Sequence, residues 1–165
     1  MKIRTGFGYD VHAFAEGRAL WLGGVRIEYP RGLAGHSDAD VLIHAICDAL
    51  LGAANLGDIG LHFPDTSAEY KDVDSKIFLS RTMEMLRMSG YELGNVDATV
   101  VAEQPKLRPY IQAMQQTLAE VMQVDPDDLS IKATTSEKLG FTGRNEGIAA
   151  YASVLLTDRI TYSET

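Results

Sequence analysis

An acid and an imidazole lie two residues apart near the start of the chain, where Asp10 and His12 occur in the segment GYDVHAF. In an extended strand, alternate side chains point to the same face, so these two groups would lie close together. Such a pair can supply two ligands to one metal ion. Alternatively, the acid can orient the histidine through a hydrogen bond. Whether this pair binds a metal or forms a hydrogen bond depends on the other polar residues of the chain.

A polar stripe on a predicted helix supplies further candidates. The segment SDADVLIHAICDALLGAAN is apolar on almost every side except at Asp40, His44 and Asp48, which are spaced four residues apart. Residues at this spacing share one face of a helix. Because a buried acid or imidazole is costly unless it is paired or bound to a metal, the stripe needs partners. Asp10 and His12 are the natural candidates for that pairing.

The combination of Asp10, His12 and His44 would bring together one carboxylate and two imidazoles. This ligand set suits Zn²⁺ with a fourth position left open, which is typical of catalytic rather than structural zinc sites. Asp40 or Asp48 would then support the ligands or face a substrate. A hydrogen-bond network between helix and strand, without a metal, is an equally good interpretation of the same residues.

The segment KATTSEKLGFTGRNEG is dense in groups that bind phosphate. Thr134, Thr135 and Ser136 offer hydroxyl and backbone N–H groups at the end of a predicted strand, and Arg144 carries a fork-shaped guanidinium. Glu137 is a hard oxygen ligand that suits Mg²⁺ beside phosphate oxygens. The segment lacks the Walker motif, and a solvated loop with turn glycines is the alternative interpretation.

Two further loops contain candidate binding groups. The segment AEQPKL, residues 102–107, connects a predicted strand to a predicted helix, and its backbone amides could hold a base or a phosphate at the helix start. Lys106 on its own is more typical of a surface lysine. The segment GDIGLHFPDTS is rich in Gly, Pro and Asp, which indicates either a simple turn or a mobile lid.

Composition restricts the class of protein. The chain has 165 residues, which predicts one domain over residues 1–165. Its single cysteine, Cys47, excludes an intrachain disulfide and favours a reducing, cytoplasmic location. The net charge of −8 argues against nucleic acid as a partner. The absence of a long apolar run argues against a membrane partner.

Hydrophobic periodicity predicts an α+β fold, with one mostly antiparallel or mixed β-sheet, helices packed on one face, and a small β-hairpin. The hairpin is predicted around Gly23 and Gly24, where two short apolar segments meet. The first helix is expected to begin at Ser37 or Asp38 as its N-cap. Strands are predicted at residues 2–14, 95–103, 129–135 and 147–160, and helices at residues 37–55, 74–88 and 107–122.

Taken together, the segments GFGYDVHAF, LGGVRIEYPRGLAGHSDADVLIHAICDALLGAANLGDIGLHFPDT, GYELGNVDATVVAEQPKL and IKATTSEKLGFTGRNEGIA resemble the 2-C-methyl-D-erythritol 2,4-cyclodiphosphate synthase family of the non-mevalonate isoprenoid pathway. They cover nearly the whole chain in family order. The resemblance implies a homotrimer with active sites at subunit interfaces. The sequence departs from the usual family pattern at Ser67, where the loop often reads PDTD, and at Ala39, where glycine is common.

The resemblance also implies roles for individual residues. Zn²⁺ or a similar ion would bind Asp10, His12 and His44, and Mg²⁺ or Mn²⁺ would bind Glu137 beside the diphosphate. His36 and Thr135 would stabilise the transition state. The residues implied to contact the substrate are Ser37, Asp58, Ile59, Gly60, Phe63, Asp65, Ser67, Ala102, Lys106, Leu107, Ala133, Thr134 and Ser136. Phe141 and Arg144, also counted with the binding residues, would line the channel along the trimer axis.

The implied substrate is a small molecule that contains cytidine diphosphate, namely 4-diphosphocytidyl-2-C-methyl-D-erythritol 2-phosphate. Its own 2-phosphate would attack the β-phosphorus and displace CMP. This reaction suits a chain that shows no activated serine or cysteine nucleophile, because the nucleophile arrives with the substrate. From the residues alone, a metal-dependent phosphohydrolase and a nucleotide-binding module without catalysis are the competing interpretations.

Overall fold

The structure is a computed structural model that describes residues 1–159. Its strands, in chain order, are β1 (Ile3–Ala15), β2 (Leu20–Leu22), β3 (Val25–Ile27), β4 (Gly32–Leu33), β5 (Tyr91–Val101), β6 (Leu129–Thr134) and β7 (Gly147–Asp158). Its α-helices are α1 (Val41–Ala54), α2 (Ile59–His62), α3 (Lys76–Met88), α4 (Ile111–Met122) and α5 (Gly140–Gly143).

Five strands form the main sheet, in the spatial order β4-β1-β7-β5-β6. Strands β1 and β5 both pair with β7 in antiparallel fashion, whereas β6 pairs with β5 in parallel. The predicted mixed, mostly antiparallel sheet is therefore confirmed. Because β1, β5 and β6 run in the same direction, the C-terminal ends of these three strands lie on the same side of the sheet, where the strands end. The last predicted strand included Ile160, which lies outside the described residues.

The predicted hairpin is formed by β2 and β3, with Gly23 and Gly24 in its turn. Both glycines have positive φ, at 57° and 73°, which is the conformation that favours glycine in such turns. Their backbone N–H groups donate to the two carboxylate oxygens of Asp40 at 2.9 and 2.7 Å. The hairpin is therefore attached to the start of α1.

The three longer predicted helices are present, with later starts than predicted. The first begins at Val41 because Asp40, rather than Ser37 or Asp38, is its N-cap and accepts a hydrogen bond from the Ile43 amide at 3.0 Å. The helix predicted from Asp74 begins at Lys76. The helix predicted from Leu107 opens with a 3₁₀ turn, Arg108–Tyr110, before α4. Within residues 1–159, no helix combines the length and the apolar character that crossing a bilayer requires.

Helix α1 packs directly on β1 because two glycines allow close approach. A Cβ atom at Gly6 would lie 1.9 Å from the Ala49 carbonyl oxygen, and one at Gly8 would lie 1.9 Å from the Ala45 carbonyl oxygen. Both separations are far below van der Waals contact. The even-numbered residues of β1 therefore face the helix, and Asp10 and His12 belong to that set.

The odd-numbered residues of β1 lie on the opposite face of the sheet, and most of them are apolar and exposed. Phe7 is 66% exposed, Tyr9 43% and Val11 40%, and Tyr151 of β7 is 39% exposed beside them. The rings of Tyr9 and Tyr151 lie 5.1 Å apart between centroids. An aromatic sheet face of this kind is characteristic of an interaction surface.

Candidate active site

The side chains of Asp10, His12 and His44 meet between β1 and α1. The distance from Asp10 Oδ2 is 3.0 Å to His12 Nε2 and 3.1 Å to His44 Nδ1. The two ring nitrogens lie 3.3 Å from each other. Three ligand atoms therefore face one point, and each side chain keeps between 12% and 26% of its exposure, so a ligand from solvent can reach them.

This triangle has the dimensions of a tetrahedral zinc site. Two ligands bound to Zn²⁺ at about 2.0 to 2.1 Å lie about 3.3 Å apart in a tetrahedron. The observed separations of 3.0 to 3.3 Å agree with that value. One carboxylate with two imidazoles is also a ligand set that suits Zn²⁺. The three residues form the group that could hold a metal ion within residues 1–159.

The hydrogen bond at His12 Nδ1 determines whether His12 Nε2, the nitrogen that faces Asp10, carries a proton. His12 Nδ1 lies 2.6 Å from the Ala34 carbonyl oxygen, which can only accept, so Nδ1 carries the proton. In neutral His12, the lone pair of Nε2 therefore points at the Asp10 carboxylate. A lone pair and a carboxylate oxygen at 3.0 Å need a positive charge between them, which either a second proton or a metal cation provides.

The pKa values of Asp10 and His12 also indicate that the cluster favours a positive charge. Burial raises the pKa of Asp10, but hydrogen bonds and attraction from His12 and His44 outweigh burial and hold it well below its usual range. Burial lowers the pKa of His12, but the hydrogen bond and the charge of Asp10 and the bond to Ala34 outweigh burial and raise it. The cluster thus attracts positive charge, and its residues fit a divalent cation.

The predicted partners of Asp40 were wrong. Its carboxylate is fully buried and accepts hydrogen bonds from the amides of Gly23, Gly24 and Ile43 rather than from His12. Burial and the neighbouring Asp38 raise the pKa of Asp40 to about 6, and the three amide bonds oppose that rise. The Asp40 side chain therefore joins hairpin and helix through Gly23, Gly24 and Ile43, and its carboxylate is not bonded to Asp10, His12 or His44.

Asp48, the third member of the stripe, anchors the next segment of chain. Its Oδ1 accepts a hydrogen bond at 2.8 Å from the amide of Ile59, the first residue of α2. Burial raises the pKa of Asp48, and the Ile59 amide opposes that change. The loop that was predicted as a turn or lid therefore begins with a short helix whose start is fixed to α1.

A cavity of about 340 Å³ opens on the side chains of Asp10, His12 and His44. The α2 region supplies part of its wall, and the ring of Phe63 stacks on Phe78 at 4.8 Å between centroids. Tyr70 and Phe78 were missed by the sequence analysis, because their spacing is that of ordinary core residues. The predicted site residues that line the cavity are Asp10, His12, His36, Ser37, His44, Ile59, Gly60, Phe63 and Asp65.

The loop that carries His36 and Ser37 is held by a residue that sequence analysis also missed. The guanidinium of Arg18 donates to the carbonyl oxygen of Gly35 at 2.9 Å and to the carbonyl oxygen of Ser37. His36 Nε2 lies 2.8 Å from the carbonyl oxygen of Ser67. This contact uses the backbone of Ser67, so the loop contact to His36 does not depend on the side chain at that position.

Asp58 and Ser67 do not line the cavity, and both act as local caps. Asp58 Oδ1 accepts the amide of Leu61 at 2.9 Å, and Ser67 Oγ accepts the amide of Glu69 at 3.3 Å. The carboxylate and hydroxyl that were predicted to contact a substrate are thus engaged in turning the chain. Asp58 Oδ2 keeps its capacity to accept from a ligand hydroxyl.

A second, smaller cavity of about 190 Å³ lies where β5 and β6 end. The amide of Ala102 donates to the Thr134 carbonyl oxygen at 3.0 Å and joins the two strand ends. The two cavities share no lining residue. The predicted site residues that line this second cavity are Ala102, Lys106, Leu107, Ala133, Thr134 and Thr135.

The remaining predicted site residues lie in the segment that follows β6, next to the second cavity in the chain. Glu137 is exposed, and its Oε1 accepts from Thr135 Oγ at 3.4 Å. Ser136 Oγ donates to the Leu139 carbonyl oxygen at 2.7 Å and is occupied within the loop. Arg144 forms two bonds to the Glu146 carboxylate, at 3.1 and 3.2 Å. Phe141 is 38% exposed.

Comparison with known proteins extends over almost the whole chain. A model of the YgbB family matches residues 3–157. The 2-C-methyl-D-erythritol 2,4-cyclodiphosphate synthase of Parabacteroides distasonis is 72% identical over 156 residues, which cover 94% of this chain and 97% of that protein.

Solved structures show the same relationship. IspF from Plasmodium falciparum, in its CDP complex, is 35% identical with a TM-score of 0.84, over 96% of this chain and 97% of that one. Bifunctional IspDF from Campylobacter jejuni is 48% identical with a TM-score of 0.92, over 95% of this chain but 42% of the longer IspDF chain. The resemblance inferred from the sequence is thereby confirmed. The chain belongs to the YgbB family, together with the 2-C-methyl-D-erythritol 2,4-cyclodiphosphate synthases that match it over nearly their full length.

Proposed function

We propose that the cavity at Asp10, His12 and His44 is the catalytic part of a cyclodiphosphate synthase site. The enzyme converts 4-diphosphocytidyl-2-C-methyl-D-erythritol 2-phosphate to 2-C-methyl-D-erythritol 2,4-cyclodiphosphate and CMP. A phosphorus–oxygen bond forms between the 2-phosphate and the β-phosphorus, and the bond from the β-phosphorus to CMP breaks. The observation that carries the proposal is the triangle of ligand atoms, with sides of 3.0 to 3.3 Å, in an accessible cavity.

The reaction requires two anionic phosphates to approach each other, so the protein has to position them and to neutralise their charge. When bound to Asp10, His12 and His44, Zn²⁺ would supply Lewis-acid stabilisation of the phosphate charge. The wall of the same cavity contains His36, whose loop is held by Arg18. Because His36 Nε2 already donates to the Ser67 carbonyl oxygen, His36 would act as an imidazolium, whose Nδ1–H would donate to a phosphate oxygen and stabilise the negative charge of the transition state.

The second cavity would hold the cytidine diphosphate part of the substrate. Lys106, Leu107, Thr134 and Thr135 belong to its wall. The backbone amides of Lys106 and Leu107 and the hydroxyls of Thr134 and Thr135 suit a base and phosphate oxygens. Glu137 and the neighbouring Thr135 hydroxyl, 3.4 Å apart, offer hard oxygen ligands to Mg²⁺ or Mn²⁺. When bound there, such an ion would neutralise part of the charge of the substrate diphosphate.

A homotrimer would combine these two cavities. Within one chain, the candidate metal ligands and the candidate nucleotide-binding residues line two cavities that have no lining residue in common. A complete site is therefore best formed where a cavity of one copy meets the other cavity of a second copy. The exposed aromatic face of β1 and β7, with Phe7, Tyr9 and Tyr151, supports association through the sheet. We therefore propose that the active sites lie between subunits.

Association through this face can be tested by placing a charge on it. Phe7→Glu should convert an assembly of about 54 kDa, which is three chains of 18.0 kDa, into monomers, because an isolated buried carboxylate is costly. Light scattering after size exclusion measures the mass. Met88→Glu is the matched control, since Met88 is 81% exposed at the end of α3. A Phe7→Glu trimer, or an active monomer, would contradict the proposal.

The reaction itself is tested by the phosphorus NMR spectrum of the product. The proposal predicts CMP together with a cyclic diphosphate that has no terminal phosphate resonance. A linear erythritol phosphate product would instead indicate attack by water and a phosphohydrolase. Tight binding of the substrate without any CMP release would indicate a nucleotide-binding module.

The role of Glu137 is tested by comparing rate with binding. Glu137→Gln should lower the rate of CMP release by about 100-fold or more, because a neutral amide is a poor ligand for a hard cation beside the diphosphate. CMP binding, measured by calorimetry without a divalent ion, should weaken much less. Glu69→Gln is the control, because Glu69 is an exposed glutamate outside both cavities. Equal losses in rate and in binding would count against the proposed role.

A further inference from the structure

Ser75 lies at the start of α3 in the N-cap position, yet its hydroxyl does not cap the helix. No hydrogen bond runs from its side chain to the first turn, although serine at this position normally accepts one from the N2 or N3 amide. Ser75 is also fully buried. Its hydroxyl is therefore committed to some other group.

That group is the outer nitrogen of a metal-site histidine. Ser75 Oγ lies 2.9 Å from His44 Nε2, whereas the inner nitrogen, His44 Nδ1, faces Asp10 Oδ2 at 3.1 Å. The hydroxyl of Ser37 lies farther from His44 Nε2, at 3.3 Å, and it already accepts the amide of Ala39. Ser75 is thus the nearer partner of the outer nitrogen.

The direction of the bond between Ser75 and His44 follows from the next residue in the network. Ser75 Oγ donates its hydrogen to Asp38 Oδ1 at 2.5 Å, because a carboxylate oxygen can only accept. The oxygen of the Ser75 hydroxyl must then accept from His44, so Nε2 carries the proton. The lone pair of Nδ1 is left to point at Asp10 and His12.

The Asp38 carboxylate is itself fixed by the backbone on both sides. Its Oδ2 accepts the amide of Ser75 at 3.0 Å, and its Oδ1 accepts the amide of Asp40 at 3.1 Å. The carboxylate is therefore held by α3 and by the residue that caps α1. The network connects the two helices through His44.

We infer that Asp38 and Ser75 are a positioning pair for the metal site, which selects the Nε2–H tautomer of His44 and aims Nδ1 at the cation. The inference rests on the proposed metal role of His44. Histidine ligands typically donate their other N–H to a carboxylate or carbonyl group, directly or through a relay, and loss of that partner lowers metal affinity by about 10- to 100-fold. Neither Asp38 nor Ser75 would touch the substrate or the metal.

The test measures zinc affinity by competition with a chromophoric chelator, using the full chain. Ser75→Ala should raise the Kd for zinc by about 10- to 100-fold. Asp38→Asn should raise it comparably, because an amide can donate to the serine and reverse the direction of the relay. Ser80→Ala is the matched control, since Ser80 is exposed on the same helix. In this control the Kd should equal that of the wild type.

A second readout separates positioning from mere support of the fold. In the zinc-loaded wild type labelled with ¹⁵N-histidine, His44 should show a protonated Nε2, and in Ser75→Ala that proton should exchange with water much faster. A wild-type Kd and an unchanged Nε2 signal in a folded Ser75→Ala variant would overturn the inference. So would a loss confined to the thermal stability of the zinc-free protein. A wild type that does not bind zinc would instead overturn the proposed metal role itself.

Discussion

Replacing His44 by alanine should abolish CMP release while the protein remains folded. The variant loses one of three ligand atoms of the candidate metal centre, and metal stabilisation of phosphate charge contributes several kcal/mol to such reactions. A loss of about 1,000-fold or more is therefore expected, since about 1.4 kcal/mol corresponds to a factor of ten. Alanine suits the interior of α1, so the helix should persist. Zinc content and the rate of CMP release measure the two effects.

The matched control for His44→Ala is Glu84→Ala, an exposed helix position on α3, which should keep both its zinc and its rate. Circular dichroism of the two variants checks that each is folded. A His44→Ala protein that retains near-normal CMP release would refute the metal role of the cluster. One that retains zinc but loses its activity would instead assign His44 a role apart from metal binding.

Replacing Gly8 by alanine should destabilise the protein and weaken metal binding together. A Cβ atom there would lie 1.9 Å from the Ala45 carbonyl oxygen and 2.8 Å from the Ala49 amide nitrogen, so α1 has to move away from β1. Overpacking of a core typically costs about 1 to 3 kcal/mol, and contact with backbone rather than with a flexible side chain favours the upper end of that range. Because His44 lies on α1 and Asp10 on β1, the same movement separates the ligands. Chemical denaturation and zinc competition measure the two losses.

Gly52→Ala provides the matched control on α1 itself. Nothing lies within 4 Å of a Cβ atom at Gly52, and alanine in a helix is favoured over glycine by roughly 0.5 to 1 kcal/mol. This variant should therefore be slightly more stable than the wild type and should bind zinc normally. If Gly8→Ala were as stable as the wild type, close packing of α1 on β1 would not be what holds the ligands together.

The meeting of Asp10, His12 and His44 could be predicted from the sequence because it follows from the two-residue period of a strand and the four-residue spacing of a helix face. Asp10 and His12 share a face of β1 at a spacing of two residues, and His44 interrupts an otherwise apolar helix. The same pattern was misleading for Asp40, because a stripe shows which residues share a face but not what lies opposite them. The hairpin amides of Gly23 and Gly24 lie close to Asp40 only after the chain has folded.

Other parts of the site lie beyond what a local pattern can indicate. Arg18 and Ser75 contact the site through tertiary hydrogen bonds that link distant segments, and their spacing resembles that of any surface arginine or N-cap serine. The sheet was predicted from an extended segment at residues 2–14, from alternation of apolar and polar residues at 95–103, and from two later strand segments at 129–135 and 147–160. The separation of the predicted site residues into two cavities without a common lining residue could not be predicted from local patterns, because these do not record how far apart two segments lie after folding.

The most direct test of the account is anomalous diffraction from a crystal soaked with zinc and CDP, recorded on both sides of the zinc absorption edge. We expect an anomalous peak about 2.0 to 2.2 Å from Asp10 Oδ2, His12 Nε2 and His44 Nδ1, with CDP density at the cavity that Ala102 and Thr134 line. Anomalous peaks at other positions only, with these three side chains in hydrogen bonds to one another, would contradict it.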